Sequence, residues 1–241
     1  KYYLNMTLKL AQKGEFTVYP NPKVGAIIVK NDKIVGSGYH KSSGSSHAEA
    51  IAIKKAGSKS KNSTLYVNLE PCSHFGKTPP CVDLIIKHQI KRVVIANYDP
   101  NPLVNKKSIN KLRRAGISVS TGMLKEKAIL LNKEFYHMHQ SRMPHITIKV
   151  GLSLDGKIAL SNGFSKWITS TESRQDVQRE RAKSSVILST SKTILKDNPS
   201  LNVREKRYLK QLRKQPDLAV IDNNLRLDEN LHIFNDPNRK I

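Results

Sequence analysis

The residues best suited to chemistry in this 241-residue chain are one histidine, one glutamate and its two cysteines. His47-Ala48-Glu49 lies upstream of Pro71-Cys72, and Cys81 follows Cys72 after eight intervening residues, within "NLEPCSHFGKTPPC". An imidazole and two thiols make a soft N/S donor set suited to zinc. Three protein ligands leave a fourth tetrahedral position open, which distinguishes a catalytic zinc from a structural one. Water at that position ionises near neutral pH. Glu49 would take its proton and return it to a leaving amine, as base and then acid.

Two cysteines do not make a disulfide framework in a chain large enough to bury a core, so a cystine is the weakest reading. Each piece is ordinary when taken alone: an H-x-E occurs by chance, and buried cysteines pass as small hydrophobes. The ordered set is more specific, because H-x-E followed by P-C and a second cysteine is a zinc-deaminase pattern. Its departure is the gap of eight residues where that pattern has two.

Positioning these groups requires particular elements. Residues i and i+2 diverge on a regular helix, so His47 and Glu49 converge only at a helix entry. The sequence predicts that entry at about His47, with the helix running to Ala56 and ending at Gly57. Cys72 and Cys81 are each expected near a helix N-terminus, where the dipole favours thiolate, and Pro71 and Pro80 suit such starts.

Around them the periodicities predict a helix over Tyr2–Lys13, a hairpin of Val24–Lys30 and Lys33–Tyr39 turning at Asn31-Asp32, and a strand at Thr64–Leu69. A helix at Cys81–Gln89, a strand at Arg92–Asn97 and a helix at Lys106–Ala115 follow, then one long helix from Leu124 to about Ser141. After "RMPH" the pattern predicts a strand at "ITIKVG" (146–151), a helix at Glu172–Lys183, and strands at Val186–Ser189 and Asp217–Asp222. Alternating strands and helices mean an α/β layered fold with a largely parallel sheet. Two domains are expected, 1–142 and 143–241.

The net charge of +23 raises the question of nucleic acid, but Lys outnumbers Arg thirty to twelve. The basic residues are also dispersed along the chain, unlike the patch or tail of a phosphate-backbone binder. No nucleic acid partner is expected. The chain has no apolar run long enough to cross a bilayer and no signal-peptide core at its start, so a cytoplasmic location and no membrane partner are expected.

"PNPKVGAIIVK" (20–30), "HAEAIA" (47–52), "LEPCSHFGKTPPC" (69–81), "DPNP" (99–102) and "SLDGKIA" (153–159) together resemble the bifunctional deaminase-reductase family of riboflavin biosynthesis. In that family the long insert between the cysteines is the normal form, whereas tRNA and nucleoside deaminases carry the short one. The resemblance implies a cytidine-deaminase-like three-layer α/β/α domain with one Zn2+ on His47, Cys72 and Cys81, and Glu49 as catalytic acid and base. It implies hydrolytic deamination of a phosphoribosylated pyrimidine, with Asn21 helping to hold it.

For the second half it implies the start of a dihydrofolate-reductase-like α/β domain that uses NADPH. Gly151, Trp167, Thr193 and Asp197 then fall at cofactor positions, and Ser165, Arg181, Leu201 and Arg204 at substrate positions. Asn223 stands where the family usually has a cofactor-contacting Ser. The family's reductase continues past the position of Ile241, so the chain is read either as a fragment or as carrying a degenerate reductase half. The resemblance also implies self-association into a homo-oligomer.

Overall fold

The computed structural model describes residues 1–76, 78–237 and 239–241, so Lys77 of the cysteine motif lies outside the described residues. The chain divides into two compact units, 1–146 and 147–241, four residues beyond the boundary expected at 142.

The first unit is built on a five-stranded sheet. Its hairpin pairs β1 (Gly25–Lys30) with β2 (Lys33–Tyr39), and Lys30 faces Lys33 across the two-residue turn. Both turn residues are left-handed, Asn31 at φ 48° and Asp32 at φ 56°, as a hairpin matched to strand twist requires. β1 also pairs antiparallel with β3 (Thr64–Val67), after which β4 (Arg92–Ile95) and β5 (Ser118–Thr121) add in parallel. The order is β2-β1-β3-β4-β5.

The strands show why the sheet is covered on both faces. Leu65 and Val67 of β3, with Val93 and Ile95 of β4, join one buried cluster with α2 (Ala48–Ala56), α3 (Cys81–Lys87) and α4 (Lys107–Arg114). The intervening residues, Tyr66 and Val94, pack on the other face with Leu4 and Leu8 of α1 (Tyr2–Gln12) and Ala128 of α5 (Lys125–Leu131). Period-two alternation thus feeds two cores, and the unit is a three-layer α/β/α sandwich.

The expected long helix from Leu124 is two helices, α5 and α6 (Lys133–Ser141), broken at Asn132. The cause is local. Asn132 is buried, its Oδ1 accepts from the Lys23 backbone N–H at 2.8 Å, and its Nδ2 donates to the Lys23 carbonyl at 2.9 Å. A carboxamide bonded to backbone in this way competes with helical continuity. Asn68, just past β3, fastens the same loop from the other side through the Gly25 N–H at 2.7 Å and the Lys23 carbonyl at 3.0 Å.

In the second unit, β6 (Val186–Thr190) and β7 (Asp217–Ile221) pair in parallel, with α7 (Thr171–Lys183), α8 (Ser191–Asp197) and the single turn α9 (Lys206–Leu209). Ile194 of α8, Leu218 of β7 and Ile233 form its buried centre. The strand expected at 146–151 is absent: residues 144–153 have no regular structure, and Ile146 and Ile148 are 73% and 83% exposed. The alternation is strand-like, but a strand also needs a hydrogen-bonding partner, and no described strand pairs with this segment.

Two glycines of β2 let α2 lie directly on the hairpin. A Cβ on Gly38 would fall 2.5 Å from the Ala48 carbonyl oxygen and 2.7 Å from the Ile51 Cβ, both in the first turns of α2. Gly38→Ala is therefore expected to destabilise the protein by about 2 kcal/mol in urea unfolding, through overpacking against backbone. Gly76→Ala, whose nearest neighbour is the His74 Nε2 at 4.0 Å, should stay within about 0.5 kcal/mol.

Candidate metal centre

The close fit of α2 on β2 fixes where the helix begins, and its N-cap is His47, in an extended backbone conformation (φ −69°, ψ 160°). Glu49 is then the second helical residue, still inside the irregular entry, so the two side chains converge as their spacing requires. From the opposite side the chain leaves β3, passes Asn68 and Glu70, and delivers Cys72. Cys81 arrives as the first residue of α3, after Pro80.

Cys72 does not begin a helix, contrary to the expectation from Pro71. It lies in an irregular segment and instead docks onto the start of α3: its Sγ accepts from the Cys81 N–H at 3.2 Å and its carbonyl from the Val82 N–H at 3.1 Å. One helix start therefore serves both cysteines. The thiols are free, with no cystine between them.

The His47 Nδ1 lies 3.5 Å from the Cys72 Sγ and 3.3 Å from the Cys81 Sγ, and the three ligand atoms are all within 4.8 Å of one another. Tetrahedral zinc, with bonds of about 2.3 Å to sulfur and about 2.0 Å to nitrogen, would hold N and S about 3.5 Å apart. The donor set fits that ion. Among the described residues this is the one His/Cys/Asp/Glu cluster with ligand atoms gathered closely enough to hold a metal.

The electrostatics agree with a cation site. The hydrogen bond from the Cys81 thiol, with help from His47 and despite burial, holds the Cys72 thiol down to about 4. The same sulfur pair and burial push Cys81 up. His47 is raised, first by its hydrogen bond to Cys72. Glu49 is 3% exposed, and burial pushes its carboxyl up to about 7. Such a carboxyl changes protonation state near neutral pH, as a proton carrier must.

Beside the cluster, Asn21 and His40 form a second layer that sequence reasoning only half anticipated. The Ser46 carbonyl can only accept, so at 3.3 Å it fixes the proton on the His40 Nδ1. The His40 Nε2 is then an acceptor, and the Asn21 Nδ2 donates to it at 3.0 Å. The His40 and His47 rings meet edge to face at 5.4 Å. The one sequence signal for His40 was a polar residue just past a hairpin strand.

Glu70 was not singled out either, although it ties the segment before Cys72 to the loop beyond β4. Its Oε1 accepts from the Ser108 hydroxyl at 2.6 Å, and its Oε2 from the N–H groups of Lys106 at 3.0 Å and Asp99 at 3.3 Å. Burial raises the adjacent Asp99 carboxyl to about 7.

In the second unit the expected site residues are only partly gathered. The Arg181 side chain on α7 donates to the Asn202 carbonyl at 3.0 Å, next to left-handed Leu201 (φ 48°) and close to Arg204. Burial first, then the charges of Arg204 and Arg239, bring Arg181 down to about 10. Thr193 and Asp197 lie exposed on α8. Gly151, Ser165 and Trp167 lie on the irregular stretch before α7, where the Arg174 guanidinium covers the indole at 4.4 Å. No hydrogen bond among the described residues joins those three to Thr193 or Asp197.

Comparison with known proteins places both halves. Residues 1–97 match the model of the cytidine and deoxycytidylate deaminase zinc-binding region, and residues 144–241 match that of the RibD C-terminal domain. The riboflavin biosynthesis protein RibD of Buchnera aphidicola is 47% identical over 236 residues, covering 94% of this chain and 63% of its own length. The Escherichia coli RibD is 46% identical, with 94% and 64% covered. The chain thus spans a little under two thirds of the length of these relatives.

Among solved structures, an Acinetobacter baumannii RibD superposes with a TM-score of 0.93 at 40% identity, covering 98% of this chain and 67% of that one. A Thermotoga maritima protein described as a diaminohydroxyphosphoribosylaminopyrimidine deaminase/5-amino-6-(5-phosphoribosylamino)uracil reductase gives 0.90 at 38% identity, covering 99% and 67%. The expected fold class, a cytidine-deaminase-like domain followed by part of a reductase-type α/β domain, stands. With both domain types in that order and similarity running through nearly every residue, the chain belongs to the RibD family of riboflavin biosynthesis proteins.

Proposed function

We propose that the first unit is a zinc-dependent deaminase of riboflavin biosynthesis, and that residues 143–241 belong to an NADPH-dependent reductase domain. The observation that carries the deaminase reading is the convergence of the His47 Nδ1 on two cysteine sulfurs at 3.3 and 3.5 Å, with the buried Glu49 carboxyl beside them. His47, Cys72 and Cys81 would hold one Zn2+. When bound, the ion supplies Lewis acidity and a nucleophile at neutral pH.

The substrate is 2,5-diamino-6-(5-phosphoribosylamino)pyrimidin-4(3H)-one. Water adds to the ring carbon bearing the exocyclic amine, the C–N bond breaks, and ammonia leaves to give 5-amino-6-(5-phosphoribosylamino)uracil. Glu49 carries the proton: its carboxylate takes one from water, and the resulting acid delivers it to the departing nitrogen. A carboxyl titrating near 7 can perform both halves at neutral pH. Asn21, with its NH2 committed to His40, offers Oδ1 as an acceptor for a substrate N–H.

In the second unit, Arg181 and Arg204 would offer guanidinium donors to the substrate phosphate, and Ser165 and Leu201 would be further substrate contacts. Gly151, Trp167, Thr193 and Asp197 would line the NADPH, which delivers hydride to the opened ribose and leaves a ribityl chain. The protein acts in the cytoplasm as a homo-oligomer on this phosphoribosylated pyrimidine, without nucleic acid or membrane. No helix among the described residues is long and apolar enough to cross a bilayer.

Glu49→Gln should lower deamination of the phosphoribosylaminopyrimidine by about 10²–10⁴-fold in an ammonia-release assay, with folding unchanged. Undiminished turnover would remove Glu49 from the chemistry, and wild-type activity on a tRNA anticodon loop alone would overturn the substrate. NADPH titration should quench the fluorescence of Trp167, the single tryptophan, saturably. Linear behaviour up to millimolar NADPH would count against its place in a cofactor site.

A further inference from the structure

The eight-residue separation of the cysteines raises the question of what the insert does at the metal centre. Its two ends are clamped together by the pair of Cys72 bonds to the start of α3. Among the described residues of the insert, the Gly76 N–H donates to the Thr78 carbonyl at 3.3 Å, and Pro79 and Pro80 follow Thr78 directly. A residue that precedes proline is held in the extended region, so the backbone of Thr78 has little freedom. Its half-buried side chain points at His47, with the Oγ1 3.3 Å from the Nε2.

The two nitrogens of His47 are thereby distinguished. Nδ1 faces both sulfurs, at 3.3 and 3.5 Å, so Nδ1 is the nitrogen turned to the metal. A neutral imidazole that ligates through Nδ1 carries its proton on Nε2 and must donate it. The group placed to receive it is the Thr78 hydroxyl oxygen. A hydrogen bond to the far nitrogen of a ligating histidine fixes both its tautomer and the plane of its ring, and loss of such a partner commonly costs about 10–100-fold in metal affinity.

We infer that Thr78 is a positioning residue of the metal centre: the insert between the cysteines supplies the hydroxyl that orients His47 toward the ion. Thr78 is not among the ligand atoms of the cluster and acts through the imidazole. The inference rests on the zinc reading above and goes beyond it, because it gives the insert a physical task that two intervening residues could not perform. With only two residues between the cysteines, the chain has no length to leave Cys72, arch over His47 and return to α3.

The test is zinc affinity of the full chain, measured by competition with a chromophoric chelator, together with the visible spectrum of the Co2+-loaded protein and the melting temperature of the metal-free protein. Thr78→Val, which replaces the hydroxyl with a methyl, should raise the zinc Kd about tenfold or more and alter the Co2+ bands. Thr78→Ser should stay within about threefold of wild type, and the metal-free melting temperature should be the same for all three. If the valine variant fails to fold, Thr78→Ala takes its place in the same titration. Wild-type affinity in the variant lacking the hydroxyl, or equal weakening by serine and valine, overturns the assignment while leaving zinc at the site. A wild-type chain that takes up no zinc overturns the zinc reading and this inference together.

Discussion

The site depends on two helices starting at the same place. The first turn of α2 presents His47 and Glu49, the first turn of α3 presents Cys81, and the N–H groups of Cys81 and Val82 hold Cys72 in place. Helix starts carry unpaired N–H groups and the positive end of the dipole, which favour the thiolates that bind a cation. The sheet makes this meeting possible, since α2 and α3 pack on one face through the cluster that includes Ala52, Ile53, Val82 and Ile85. Gly36 and Gly38 of β2 remove the side chains that would otherwise hold α2 away.

Polar anchors then do what apolar packing cannot. Asn68 and Asn132 grip the backbone around Lys23, which sets the loop carrying Asn21, and His40 orients the Asn21 amide. Glu70 gathers two donors from the loop after β4 and one from the start of α4, and so braces the segment that delivers Cys72. Each anchor is a buried group with its hydrogen bonds satisfied, and such groups fix one arrangement where apolar contacts would tolerate several.

Much of this was readable in the residues because it was local. The turn at Asn31-Asp32, the entry of α2 at His47 and the period-two alternation of β3 and β4 all follow from short-range pattern. What escaped was long-range. Helical periodicity runs straight through Asn132, and only Lys23, 109 positions away, interrupts it. The pairing of Cys72 with the start of α3, and of Thr78 with His47, leaves no spacing signature. The apolar alternation at Ile146, Ile148 and Val150 reads as a strand, but pairing depends on an edge that the local pattern does not supply. In the second unit, the arginines gather around Asn202 while Trp167 and Thr193 remain separate positions.

Zinc K-edge absorption of the metal-loaded protein tests the central claim most directly. One zinc per chain with two sulfur scatterers at about 2.3 Å and two nitrogen or oxygen scatterers at about 2.0–2.1 Å is the predicted result. A shell without sulfur, a single sulfur, or a stoichiometry near zero would contradict the assignment of His47, Cys72 and Cys81 as the ligands of an open metal site.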